Sequence, residues 1–239
     1  MGRYDYIEKN LINLRKKIEI ICKGVNRDPK EIHLIAVSKT MPVDAVSSAI
    51  DYNQLDFGEN RVQELVEKQK ALEGRILNWH LIGHLQSNKV KYIVPFVFLI
   101  HSLDSFKLAQ IINEEAVKTG RIIKCLVQVN TSNEEQKSGV DSKYALKLVK
   151  EISVLQNIKV KGLMTIAEFI DDYKDETQRN KVRNNFKVLK SLFDEIKSEN
   201  ITNVDMKYLS MGMTSDYDMA IVEGSNMLRV GTAIFGERN

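Results

Sequence analysis

Eight short apolar runs recur along the chain at almost regular intervals, and this alternation restricts the architectures open to it. The runs are Ile32–Ser38, Gln54–Gly58, Leu77–Ile82, Val97–Ser102, Ile123–Asn130, Val160–Thr165, Lys207–Ser210 and Met227–Val230. Helical patterns lie between them at roughly Val43–Asp51, Arg61–Leu72, Asn88–Val94, Ser105–Lys118, Lys143–Leu155, Gln178–Lys197 and Asp216–Ile221. Runs such as Ile32–Val37 and Cys125–Val129 are apolar on nearly both faces, which predicts a parallel sheet with helices on one side and a core on the other. Eight strands favour a closed (β/α)8 TIM barrel over a doubly wound open sheet, and no G-x-G-x-x-G follows the first strand to suggest a dinucleotide site. A chain of 239 residues fits one such barrel, so residues 1–239 are expected to form a single domain.

An extra helix precedes the first strand, with an apolar stripe at Ile7, Leu11, Leu14, Ile18 and Ile21. Having no strand before it, this helix is expected to cap the bottom of the barrel. Its basic stretch Arg15-Lys16-Lys17 falls on the polar face and reads as solvated surface. A net charge of +3 with acidic residues interspersed gives no footprint for nucleic acid. Cys22 and Cys125 belong to no C-x-x-C pair, the longest apolar stretch is too short to span a membrane, and no signal pattern opens the chain. A cytoplasmic protein is expected.

The first and last runs carry the chemistry. Lys39 ends the first strand, aimed at the C-terminal mouth where barrel enzymes keep reactive groups, and the last strand reads Met227-Leu228-Arg229-Val230 before a Gly231-Thr232 turn. A closed barrel makes these two strands neighbours. A lysine amine, a polar group for a pyridine nitrogen and turn amides for a phosphate are what a pyridoxal-phosphate pocket needs. Ser210, with the loop Met211-Gly212-Met213-Thr214-Ser215-Asp216, adds a hydroxyl after the seventh strand.

Blander readings stand beside this one. Lys39 alone reads as a snorkelling surface lysine. Arg229 has a structural ion pair with Glu223 or Asp218 as its competitor. Asn60 and Ser87 are good helix N-caps, as are Thr214 and Ser215. His80 reads as a core histidine, no third ligand accompanies His80 and His84 for zinc, and Met164 reads as barrel packing although its strand ends at the mouth. His84 or Asn60 is a candidate for the mouth beside a cofactor ring. The segment 171–180 reads as an exposed, frayed helix start, with a mobile flap as the alternative.

Five motifs in order, Leu34–Thr40, Phe57–Glu64, Trp79–Lys89, Leu209–Asp216 and Met227–Gly236, closely resemble the pyridoxal phosphate homeostasis proteins over nearly the whole chain. The resemblance implies a barrel like the alanine racemase N-terminal domain, with pyridoxal 5'-phosphate (PLP) as cofactor. It implies Lys39 as the Schiff-base lysine, Arg229 at the pyridine nitrogen, and Ser210, Gly231 and Thr232 around the phosphate. Met211, Asn60 and Met164 complete the expected cofactor-binding set. The family binds PLP and helps control its cellular level without an established reaction, so no catalytic residue is expected. Apo PLP-dependent enzymes are the partners it would serve, and a monomer is expected. Alanine racemases carry a second, β-rich domain, and no counterpart to it is expected here, the last barrel element lying next to Asn239. A racemase that recruits its missing base from Tyr217 or from the 171–180 segment stays open, as does a cofactor-free aldolase using Lys39.

Overall fold

The computed structural model describes residues 3–132, 134 and 138–237. Nine strands run in chain order: β1 (His33–Val37), β2 (Asp56–Glu59), β3 (Asn78–Leu81), β4 (Leu99–Leu103), β5 (Ile123–Asn130), β6 (Val140–Asp141), β7 (Ile158–Met164), β8 (Val204–Ser210) and β9 (Met227–Val230). All pair in parallel in the order β4-β3-β2-β1-β9-β8-β7-β5, and a β4–β5 pairing closes the ring. Eight strands therefore form the barrel expected from the sequence, and the two-residue β6 only extends β5. Neither its length nor its composition marks it as a strand in advance.

The helices are α1 (Asp5–Gly24), α2 (Val43–Asp51), α3 (Val62–Ala71), α4 (Val90–Ile93), α5 (Phe106–Lys118), α6 (Ser142–Ile152), α7 (Glu176–Ser198), α8 (Tyr217–Val222) and α9 (Thr232–Phe235). The largest boundary shift among the strands is at β8, which begins at Val204 rather than Lys207, because Asp205 and Lys207 face solvent and mask the period of the strand. Ile35, Leu99, Leu126, Met164, Tyr208 and Met227, one from each of six strands, pack together inside the barrel. A larger apolar layer joins the strands to the surrounding helices.

Helix α1 does not cap the bottom. It packs in the outer ring against α2, α8 and α9. Its N-terminal end lies by the end of the chain, where Tyr6 Oη donates to Phe235 O at 3.0 Å and Asn10 Nδ2 to Ile234 O at 3.0 Å. Just beyond its other end, Arg27 donates to Ile221 O and Ser225 O. The helix after β9 is four residues long, so the outer face of β9 and β1 would lie bare without α1. Ile7, Leu11, Leu14, Ile18 and Cys22 fill that face; Cys22, rather than Ile21, completes the stripe. Each large aliphatic side chain buried there contributes about 1.5–3 kcal/mol. That exceeds what helix propensity supplies and fixes the location. Arg15, Lys16 and Lys17 are exposed, as expected.

Candidate functional site

Pairing of β1 with β9 places Ile35 opposite Arg229 and Ala36 opposite Val230, so the lysine after β1 and the turn after β9 meet at one mouth. They share a cavity of about 460 Å³ lined by Val37, Lys39, Asn60, Ile82, Ile166, Met213, Thr214, Ser215, Arg229, Gly231 and Thr232. Of the expected residues, Lys39, Asn60, Arg229, Gly231 and Thr232 are thus brought together. Ser210, Met211 and Met164 are not in the wall: all three are fully buried. Met164 packs inside the barrel and Met211 in the layer between strands and helices. The Ser210 hydroxyl is engaged by Arg229 and His101.

The lysine-bearing turn is held by a buried charge network that sequence reading missed. Ser38 Oγ donates to Glu59 Oε1 at 2.6 Å, and Lys68 Nζ donates to Ser38 O, Glu59 Oε1 and Glu64 Oε1 at 2.6–2.7 Å. Glu64 Oε1 also accepts from Thr40 N at 2.5 Å. Thr40 adopts φ +66°, a conformation unusual for a threonine, so the network holds a strained residue directly after Lys39. Burial pushes the Glu59 carboxyl upward, opposed by Lys68 and Ser38. The i,i+4 spacing of Glu64 and Lys68 on α3 was the available signal; that they turn inward was not encoded in it.

Arg229 is 4% exposed, yet its partners are neutral oxygens. Nη1 donates to Ser210 Oγ at 2.6 Å and Nη2 to Thr165 O at 2.8 Å. Neither Glu223 nor Asp218 pairs with it, and Asp218 instead meets Arg179 at 3.3 Å. Burial lowers the guanidinium to about 10, with nearby Asp216 acting the other way, so it remains a cation at neutral pH. A buried cation without a carboxylate in contact is costly, and such an arrangement suits a ligand atom that accepts a hydrogen bond.

Hydroxyls of Thr214, Ser215 and Thr232 join the turn at Gly231, where the first amides of α9 lack acceptors within their own helix. The loop before them depends on Gly212, whose φ is +99° and whose N-terminal neighbour β8 leads it over β9, with Arg229 N donating to Gly212 O at 2.9 Å. A Cβ there would meet Ala220 Cβ at 2.6 Å. Thr214 and Ser215 do not cap α8, since Asp216 precedes it and accepts from Met213 N at 2.5 Å; Thr214 Oγ1 instead accepts from Ala233 N of α9 at 3.5 Å. Asn60 and Ser87 make no capping bonds either; Arg61 precedes α3, and Lys89 precedes α4, with Ser87 in the short 3-10 turn Ser87–Lys89 that leads into it. Asn60 instead faces the cavity. Thr214 and Ser215 could have been selected from sequence as the hydroxyls one turn beyond Ser210, whereas Val37, Ile82 and Ile166 carried no distinguishing signal.

His80 is fully buried, as a core histidine should be, and His84 is exposed. His84 lines a second cavity of about 380 Å³ that adjoins the first through Asn60, Ile82 and Ile166. No metal-ligating cluster exists among the described residues. The 171–180 segment is exposed and leads into α7: Asp175 caps the helix by accepting from Thr177 N at 2.8 Å, and Gln178 Oε1 accepts from Asp171 N at 3.0 Å. No helix among the described residues is long and apolar enough to cross a membrane.

An amine, a buried cation and a turn rich in hydroxyls and amides around one cavity fit the aldehyde, ring nitrogen and phosphate of PLP. The family model described as the alanine racemase N-terminal domain matches residues 10–239. A pyridoxal phosphate homeostasis protein of Haemophilus influenzae is 40% identical over 235 residues, covering 98% of this chain and 96% of that one. The solved structure of PipY from Synechococcus elongatus with PLP bound is 35% identical with a TM-score of 0.81, covering 96% of this chain and 100% of the other. An alanine racemase of Clostridium difficile shares the fold at 18% identity with a TM-score of 0.74, this chain matching 57% of its length. The chain belongs to the pyridoxal phosphate homeostasis protein family, built on the alanine racemase N-terminal-domain barrel.

Proposed function

We propose that this chain binds PLP and serves its homeostasis in the cytoplasm, without turning over an amino-acid substrate. The observation that carries the reading is the meeting of Lys39 with a buried Arg229, whose partners are neutral oxygens, in one 460 Å³ cavity. Lys39 would hold the cofactor through its amine, Arg229 would donate to the ring nitrogen, and Thr214, Ser215, Gly231 and Thr232 would bind the phosphate. PLP supplies an aldehyde and an electron-withdrawing ring; the protein supplies binding and orientation. Residues 1–239 act as one domain built on the closed barrel, and a monomer is the expected state. Apo PLP-dependent enzymes are the partners from which cofactor would be taken or to which it would be given.

The test is the absorbance of purified protein with PLP, before and after borohydride. Yellow protein that becomes colourless, with the reduced adduct on Lys39 by mass spectrometry, is the expected result. A colourless protein with excess PLP, or an adduct confined to another lysine, overturns it. Lys39→Ala should lose the adduct while retaining weaker, non-covalent PLP, since the phosphate turn is unchanged. Light scattering of the eluted peak checks the monomer.

A further inference from the structure

Five polar side chains from five strands form an unbroken chain of contacts across the inside of the barrel. Arg229 Nη1 lies 2.6 Å from Ser210 Oγ, which lies 3.0 Å from His101 Nδ1; His101 Nε2 lies 2.9 Å from His80 Nδ1, and His80 Nε2 lies 3.1 Å from Asp56 Oδ1. Ser210 and both histidines are fully buried, while Asp56, at the start of β2, reaches solvent at the barrel floor. The chain therefore links the floor to the cavity at the mouth.

The chemistry of the two ends fixes every proton between them. A carboxylate accepts only, so His80 Nε2 must carry a hydrogen. Burial pushes both imidazoles below their ordinary range, His101 well below it, so each is neutral near pH 7 and carries one hydrogen. His80 Nδ1 is then an acceptor, His101 Nε2 its donor, and His101 Nδ1 an acceptor in turn. That last acceptor takes the single hydroxyl proton of Ser210. A guanidinium donates only, so Ser210 meets Arg229 with a lone pair. With a carboxylate at one end and a guanidinium at the other, no step has a second solution.

We propose that this chain is a one-way hydrogen-bond relay running from Arg229 to Asp56, in which Ser210, His101, His80 and Asp56 are positioning residues that fix the Arg229 guanidinium. Two consequences follow. With Nη1 anchored on Ser210 and Nη2 on Thr165 O, the guanidinium plane is set before any ligand arrives. The Ser210 proton is committed to His101, so this hydroxyl supplies no hydrogen bond to a phosphate. The effect on a bound ring rests on the PLP reading above; the direction of the relay does not.

The test is long-range ¹H–¹⁵N correlation NMR of histidine-labelled, cofactor-free protein near pH 7. His80 and His101 should both appear as neutral Nε2–H tautomers. The Nδ1–H tautomer or an imidazolium at either residue overturns the relay, whether or not PLP binds. Asp56→Ala, at the floor, should release the tautomers into a mixture, and Asp56→Asn, which keeps an acceptor oxygen, should restore them. With PLP added, Asp56→Ala should shift the absorption maximum or weaken binding several-fold while Lys39 is still labelled by borohydride. Released tautomers with unchanged PLP spectrum and affinity would overturn the positioning role. Wild-type protein that shows the tautomers but takes no PLP refutes the cofactor reading alone.

Discussion

Asp216 is 2% exposed, and its carboxyl group answers to opposing influences. Burial raises it, while the Met213 N–H and the charge of Arg229 lower it, and the balance pushes it up to about 6. An unfolded aspartate titrates near about 3.9. Between those values the unfolded chain has released its proton and the folded chain has kept it, so this group's contribution to stability is lost as pH rises toward 6 and regained as pH falls toward 4. Asp216→Asn keeps an acceptor for Met213 N and removes the titration. Urea unfolding of both proteins should show the wild type gaining about 2 kcal/mol relative to the variant between pH 7.5 and 4.5. A difference independent of pH would mean that Asp216 is ionised throughout. Lys39 and Arg229 are legible in sequence because a cation that ends or interrupts an apolar strand stands out against its period. Ser210 is legible as a strand-end hydroxyl, but not as a partner of His101, which lies 109 residues away on another strand. Periodicity states which face a residue occupies, not what lies across the barrel from it.

Strand–helix alternation fixes the barrel at the level of elements, and seven of the helices fall where the period of 3.6 places them. The departures are local and physical. Asn60 has the chemistry of an N-cap, yet Arg61 holds that position and Asn60 turns into the cavity. Gly83 accounts for the packing there: a Cβ at this position would lie 2.7 Å from Asn60 Cα and closer still to its carbonyl oxygen. The loops after β2 and β3 therefore touch backbone to backbone, which only glycine permits. Gly83→Ala should force them apart, costing about 1–3 kcal/mol as an overpacking change. Because Asn60 and Ile82 line both cavities, PLP affinity should fall as well. Thermal unfolding together with a PLP titration checks this; an unchanged affinity in a destabilised variant would show that Asn60 does not help shape the pocket. Helix α1 illustrates the limit of reading one element at a time. Its amphipathic stripe is plain in the sequence, but its place in the ring follows from the shortness of α9 at the other end of the chain.

Closure of the ring is the property of the whole molecule that creates the site, since it brings a lysine and an arginine 190 residues apart in sequence into one cavity. The same enclosure restricts what the site can do. Exchanging a proton at an α-carbon on both faces requires two positioned acid–base groups. Among the described residues that line the cavity there is one amine, Lys39, and no carboxylate, histidine or tyrosine. The nearest histidine at the mouth, His84, stands in the adjoining cavity. Arg229 stays protonated at neutral pH, so a ring nitrogen facing it is held as an acceptor and withdraws electrons weakly. Loss of a general acid or base costs about 10²–10⁴ in rate, and a weakened electron sink adds to that. Racemase, transaminase and decarboxylase turnover with PLP-loaded protein should therefore fall well below about 1 s⁻¹, the lower end of ordinary enzyme rates. Steady-state assays against a panel of L- and D-amino acids, with Lys39→Ala as the blank, measure this directly. Turnover of about 1 s⁻¹ or more that vanishes in the blank would place an acid or base within reach of the substrate and replace the binding role with catalysis.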